Sequence, residues 1–288
     1  MKIILYTVLA LFAFAGNSVF CRLALGEDAI DAASFTAIRL LSGIVVLAVA
    51  LKMTRPRGAV PSKGSWKASF LLFLYAITFS FAYISLETGT GALILFSSVK
   101  VTMILVGMLM GYRLYKAEWL GVIIAFFGFI YLMAPGLEAP SLVGFFLMSI
   151  SGVSWGFYTL AGKGSSNPLS DTTYNFLRTL PLVIILIAST IKYSALSKDG
   201  VLLAMLSGGI ASGIGYAIWY KALGGLSSVQ AAVVQLLVPV IAGLGGVLFS
   251  NETLSVRLSI SSVIILGGIL TMTLGKYYYG QNISRKEK

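Results

Sequence analysis

Apolar residues run along this chain in blocks of about twenty, separated by short polar connections. At about 1.5 Å rise per residue, a helix of that length matches the roughly 30 Å hydrocarbon core of a bilayer. Ten such blocks predict ten membrane helices: 3–23, 33–52, 68–87, 91–111, 117–134, 142–161, 172–191, 200–221, 228–249 and 256–276. They nearly fill the chain, and the longest connection, Lys52 to Lys67, is short and basic, so no soluble domain is expected. The first block follows Lys2 and resembles a signal peptide as far as Ala15. It lacks a convincing small-x-small cleavage site and more blocks follow, so it reads as the first helix.

Composition narrows the class without changing it. Hydrophobic residues make up 58% and charged residues 11%, against roughly 25% charged in soluble domains, and the mean hydropathy is +0.92. Cys21 is the single cysteine, which excludes an internal disulfide framework. The absence of histidine removes His-based metal sites, Ser-His-Asp triads and imidazole proton relays. No Gly-Lys-Ser/Thr phosphate loop is present, which argues against ATP-driven transport by this chain alone. The net charge of +11 sits in loops rather than on a face, so it speaks of topology and not of nucleic acid.

Those loop charges predict an orientation. Lys52, Arg55, Arg57, Lys63 and Lys67 fall between helices 2 and 3, Arg113 and Lys116 between helices 4 and 5, and Arg285, Lys286 and Lys288 in the tail. Glu27, Asp28 and Asp31 mark the 1–2 loop, and Glu87 and Glu138 the 3–4 and 5–6 connections. By the positive-inside rule both termini are cytoplasmic. Lys192 and Lys198, in the 7–8 connection, run against this and are outnumbered.

The chain also matches itself without gaps at an offset of 139 residues. Arg39 falls on Arg178, Ala92 on Ala231, Gly107 on Gly246, Gly128 on Gly267 and Met133 on Met272, and the helix boundaries keep register. Each half holds five helices. An odd number makes the second half enter the membrane from the other side, an inverted repeat of the kind that places a substrate site near the midplane between the halves.

Lys100 is the residue that most needs explaining. It lies in the middle of the apolar block Gly91 to Gly111, roughly 14–16 Å from either helix end. A charge there costs several kcal/mol unless it meets water or a partner, which makes it a functional candidate; the bland alternative is a lysine that snorkels or loses its proton. Lys100 and Phe96 share a helical face, and their repeat mates are Pro239 and Gln235. Inverted symmetry then turns Lys100 and Gln235 toward one cavity, with Ser97 extending the polar strip. A cation beside an amide suits a carboxylate or phosphate; Gln235 equally suits a plain interhelical hydrogen bond. Phe79 and Tyr83, Trp155 and Tyr158, and Tyr216 and Tyr220 are aromatic pairs at helical spacing, Trp219 adjoins the last, and Asn17 is polar within an apolar run. They read as pocket walls with a few polar groups, or as ordinary lipid-facing and belt residues. None of the ten acids lies mid-membrane, so no carboxylate proton relay is expected. Glycines at Gly107/Gly111, Gly152/Gly156 and Gly209/Gly213 suit close helix packing, and Gly224-Gly225 and Gly245-Gly246 suit either packing or bending.

Several of these features together resemble the EamA-type members of the drug/metabolite transporter superfamily. The second helix of each half opens with an aromatic residue and an arginine, Phe35-Thr36-Ala37-Ile38-Arg39 and Tyr174-Asn175-Phe176-Leu177-Arg178. Trp155-Gly156 stands in helix 6, Pro239 in helix 9, and Asn251-Glu252-Thr253-Leu254 resembles the family's Gly-Glu-x-Leu turn. The resemblance spans essentially the whole chain and implies small-metabolite transport through a cavity lined mainly by helices 1, 3, 4, 6, 8 and 9. Two positions depart from it: Lys100 stands where the fourth helix of such halves commonly has proline, and Arg113 is the mate of Glu252.

The expectation is therefore an all-α integral membrane protein of ten helices in two inverted repeats, 1–138 and 139–277, with a cytoplasmic polar tail at 278–288. Its expected function is secondary transport, as an exporter or exchanger of small organic metabolites such as amino acids or organic anions, by alternating access around a midplane cavity in a bacterial inner membrane; the alternative is a membrane enzyme or flippase handling a lipid-linked substrate. Substrate would meet Lys100, Gln235, Asn17, Phe79, Tyr83, Phe96, Trp155, Tyr158, Tyr216 and Trp219. Arg39, Arg178 and Pro239 read as structural, the arginines tying helix ends to loop carbonyls and acids or snorkelling. No catalytic residue, cofactor, metal or nucleic acid is expected.

Overall fold

The computed structural model describes residues 2–54, 63–111, 114–136, 139–162, 165, 167–226, 231 and 233–286, with side chains as far as Gly275 apart from those of Tyr220 and Leu223. Arg55, Arg57, Arg113, Glu138, Lys288, the start of predicted helix 9, and the side chains of Tyr220, Arg285 and Lys286 lie outside that set.

The described residues form helices α1 (Lys2–Gly26), α2 (Ala32–Thr54), α3 (Trp66–Tyr83), α4 (Thr88–Leu109), α5 (Lys116–Met133), α6 (Leu142–Ala161), α7 (Pro168–Leu177), α8 (Leu180–Thr190), α9 (Lys198–Met205), α10 (Gly215–Leu223), α11 (Leu237–Phe249) and α12 (Val256–Lys286). Among them no strand is present, only an isolated bridge between Ile30 and Leu196. Among the described residues nine stretches are long and apolar enough to cross a membrane, counting Pro168–Tyr193 and Lys198–Trp219 as one each, and α11 is a shorter apolar helix.

Predicted helices 1–6 and 10 appear as single elements, and the other three are interrupted for local reasons. Predicted helix 7 breaks at Arg178 and Thr179 because Pro181 has no N–H to give and its ring crowds the carbonyl one turn back; Thr179 Oγ1 bonds Phe176 O at 2.7 Å across the break. Predicted helix 8 contains a π-helical segment, Leu206–Ile214, rich in glycine and serine. Predicted helix 9 turns at Gln235 and Leu236 and restarts at Leu237. Pro239 again supplies the reason, since the carbonyl it displaces is that of Gln235, which bonds Val238 N at 3.1 Å instead. The residues 278–286, expected as a polar tail, continue α12, with no proline to stop them.

Packing separates a cavity-forming group from a flanking pair. Helix α6 lies against α3 and α4; α1 lies against α11 and against the α9–π–α10 span; α4 also meets α11. Helix α5 pairs chiefly with α12, where the two backbones touch: a methyl on Gly121 would overlap the carbonyl oxygen of Gly268, and one on Gly268 the carbonyl of Gly121. The α2–π crossing is as tight, since a methyl on Gly208 would overlap the carbonyl of Arg39.

Connections at the two ends are tied separately. At one end, Arg22 pairs with Glu252 at 3.1 Å, Glu252 accepts Thr88 N at 2.9 Å, Asp31 Oδ2 accepts Ala195 N at 3.0 Å, and Arg257 donates to Ala134 O. At the other, Asp171 accepts Gly64 N at 2.7 Å, Asn175 accepts Ser65 N at 2.9 Å, and Arg178 donates to Lys63 O while lying over the Trp66 ring.

Candidate functional site

A cavity of about 430 Å³ lies among α1, α3, α4, α6, α7, the π segment, α10, Ala231 and Gln235. Its deep part is walled by Phe14, Tyr75, Phe79, Phe96, Trp155 and Tyr216, and it runs out past Thr159, Gly162 and Ser165 to the first turns of α7. No described residue of α2, α5, α8, α9 or α12 lines it. At the far end the Arg22–Glu252 pair, Thr88 and the fully buried Tyr83 fill the space between α1, α3 and α4.

Lys100 reaches this cavity from α4, and its ammonium donates to Gln235 Oε1 at 3.1 Å. The local reason is the turn at Gln235: Pro239, one turn on, breaks the helix there, and the repeat mate of that proline is Lys100 itself. The partner is neutral, so the ammonium keeps its full charge demand with two protons unspent. Ser97, expected to extend the polar strip, is instead fully buried off the cavity, with its hydroxyl unpartnered among the described residues.

The aromatic walls touch one another through Trp155. Trp155 lies on Tyr216 with centroids 5.1 Å apart and planes at 20°, on Tyr158 at 5.2 Å, and on Tyr75 at 4.7 Å. Trp219 closes on Phe14 edge-on at 5.7 Å. Asn17 donates to Tyr75 Oη at 3.4 Å and accepts from Ser207 Oγ at 2.6 Å, which joins α1 to α3 and to the π segment. The structure thus brings Lys100, Gln235, Asn17, Phe79, Phe96, Trp155, Tyr158, Tyr216 and Trp219 to one cavity.

Tyr83 is the exception. It is fully buried behind Phe79, fills the room left by Gly91, and donates to Thr88 O at 3.3 Å, so it does not line the cavity. Arg39 also departs from expectation. Among the described residues it reaches no loop carbonyl and no acid; it is 2% exposed, donates to Tyr75 Oη at 2.9 Å, and lies over the rings of Tyr75 and Phe79 at 5.1 and 4.7 Å. The aromatic faces and one hydroxyl stand in for a counter-ion, because α2 enters the packed interior just where α3 offers that stripe. Arg178, on a loop carbonyl, follows the expected pattern, and Pro239 is buried in the first turn of α11, where its missing N–H is not needed.

Tyr75, Phe14, Asp171 and Asn175 line the cavity and were not singled out by sequence reasoning. Tyr75 carried a usable signal, because it stands four residues before Phe79 and so continues the Phe79–Tyr83 stripe by one turn. Asp171 carried none: its place at the mouth depends on how α7 packs against α2 and α3, which spacing along the chain does not record.

Comparison with known proteins agrees with this architecture. Residues 142–274 match the EamA-like transporter family. An uncharacterized protein of Pseudomonas aeruginosa is 48% identical over 93% of both chains. A protein of Escherichia coli named as a probable amino-acid metabolite efflux pump is 25% identical over 71% of this chain and 77% of its own. A crystal structure of another protein superposes with a TM-score of 0.61 at 19% identity, covering 93% of this chain and 97% of that one, which speaks for a shared fold. This chain belongs to the EamA-like transporter family, and it is a helical integral membrane transporter.

Proposed function

We propose that this protein is a secondary transporter of small organic metabolites that carry a carboxylate, amino acids or organic anions, working by alternating access as an exporter or exchanger. The observation that carries the reading is the ammonium of Lys100, held by a neutral amide in a cavity of about 430 Å³ whose walls include aromatic rings. A cation without a carboxylate partner attracts an anionic group, and the rings accept an apolar remainder. The volume suits a small metabolite. The efflux activity named for the Escherichia coli relative supports outward movement of such solutes.

The arrangement of two inverted five-helix halves finds support in the helix contacts. Exchanging each half for the other turns α3–α6 into the contact of the α9–π–α10 span with α1, and α4–α6 into α11–α1, while α5–α12 and α4–α11 map onto themselves. Each of these contacts is present. A bundle with that exchange symmetry has two near-equivalent shapes, one open to each side. Here the cavity leads to the end bearing Lys63 and Lys67, cytoplasmic by the charge rule in a bacterial inner membrane, with both termini on the same side.

A thermal-shift screen of purified protein against amino acids and organic acids, repeated with Lys100→Ala, tests the reading. Ligands of one class are expected to stabilise the wild type and not the variant. In liposomes, Lys100→Ala is expected to abolish transport and Lys100→Arg to retain part of it. Wild-type rates for the alanine variant across the panel sink the proposal.

A further inference from the structure

We infer that Tyr75 is a second substrate-binding residue, whose hydroxyl proton is directed to an acceptor oxygen of the bound anion by the buried cation Arg39 behind it. The inference rests on the cavity being the substrate site. The argument is one of hydrogen-bond capacity. A phenolic hydroxyl has one proton to give and two lone pairs to receive. Arg39 is a donor only, so its Nη2, at 2.9 Å, occupies one lone pair of Tyr75 Oη. Asn17 Nδ2, at 3.4 Å, occupies the other, and Ser207 Oγ, donating to Asn17 Oδ1 at 2.6 Å, fixes the amide with its nitrogen toward the phenol. The Tyr75 proton is left over. No described protein atom accepts it, and the side chain lines the cavity, tilted against Trp155 with centroids 4.7 Å apart.

Arg39 supplies the second, independent observation. It is 2% exposed, its Nη1 has no hydrogen-bond partner, and no carboxylate of a described residue lies within 4 Å. The two ring faces and one hydroxyl offset this buried charge only in part and leave Nη1 without a partner, so an anion coming near still gains from it. Tyr75, whose hydroxyl receives the Arg39 bond, lines the cavity, and Arg39 itself does not. An anion accepting from that hydroxyl draws on the charge of Arg39 through one shared oxygen, a polarised relay stronger than a neutral phenol gives alone. Arg39 is then a positioning residue and Tyr75 the residue that touches substrate. The ligand chemistry is a carboxylate or other oxyanion, anchored at Lys100 and at Tyr75, with neighbouring rings for its carbon skeleton.

The test uses the purified full chain and two probes, pyruvate and 3-phenylpropanoate, with the neutral 3-phenylpropanamide as control, read by tryptophan fluorescence because Trp155 touches Tyr75. Tyr75→Phe keeps the ring and its stacking, and is expected to weaken probe binding about tenfold, the weight of one hydrogen bond to a charged group. Arg39→Gln keeps a donor but removes the charge; it is expected to lower the preference for 3-phenylpropanoate over the amide, and to have no such effect in the Tyr75→Phe background. Wild-type affinity in Tyr75→Phe, with binding lost in Lys100→Ala, overturns the role of Tyr75 and leaves the cavity reading standing. Failure of both probes to bind the wild type overturns the two together. Should Tyr75→Phe not fold, an unchanged acid-to-amide preference in Arg39→Gln refutes the relay by itself.

Discussion

Asp31 shows what single residues do at the rim of this molecule. Burial pushes its carboxyl up, but bonds from Ser34 and from the backbone N–H groups of Ser34, Ala195 and Ala33 outweigh this and hold it below the ordinary range. One oxygen caps α2 through Ser34 N at 2.9 Å, and the other ties the turn to the connection before α9 through Ala195 N at 3.0 Å. Because the folded state binds this proton less tightly than the unfolded chain, the contribution is complete above an unfolded value of about 4 and is lost as pH falls through the folded one. Thermal unfolding in detergent at pH 6 and pH 3 should therefore separate the wild type from Asp31→Asn at the higher pH and bring them together at the lower. The residue scale is also where sequence reasoning was most uneven. Lys100 and Gln235 were legible together, because the 139-residue offset puts Gln235 opposite Phe96 on the same face. Tyr83 was misjudged because spacing along a helix says which residues share a face and not how deep along it the cavity ends.

Among the elements, the turn after α11 is the best case of a motif whose physics the structure explains. Asn251 has a φ of 51°, in the left-handed region that glycine adopts freely and asparagine tolerates, and here it stands at the family's glycine. That bend delivers Glu252 to the start of α4, where it accepts Thr88 N, and to Arg22 of α1. Glu252→Gln should cost roughly 1–3 kcal/mol, the price of breaking a largely buried charged hydrogen-bond set, measurable as a lower midpoint in chemical denaturation; an unchanged midpoint would show the pair to be idle. The breaks at Pro181 and Pro239 were present in the sequence as prolines, yet hydropathy ran through them unbroken. The π segment at Leu206–Ile214 left no such mark, because hydrogen-bond register is invisible to a count of apolar residues.

For the whole molecule, apolar block length and loop charge were enough to foresee a multi-helix membrane protein, while the side on which the cavity opens came only from the fold. That side can be tested. Cys21 is buried and is the single cysteine, so Cys21→Ala gives a thiol-free chain. Gly162 is exposed at the end of α6, lines the cavity, and has room for a side chain. Gly162→Cys should react with a membrane-impermeant maleimide from the cytoplasmic side only, and Ser194→Cys, in the connection before α9, from the outside only. The reverse pattern would invert the orientation. The Gly121–Gly268 crossing between α5 and α12 carries a warning for genetics. A random screen for lost transport will return alleles there and at Gly208, where no side chain can be added without pushing two backbones apart. Lying at backbone crossings and not in the cavity lining, such alleles will mimic a second active region while reporting only on whether the bundle can assemble.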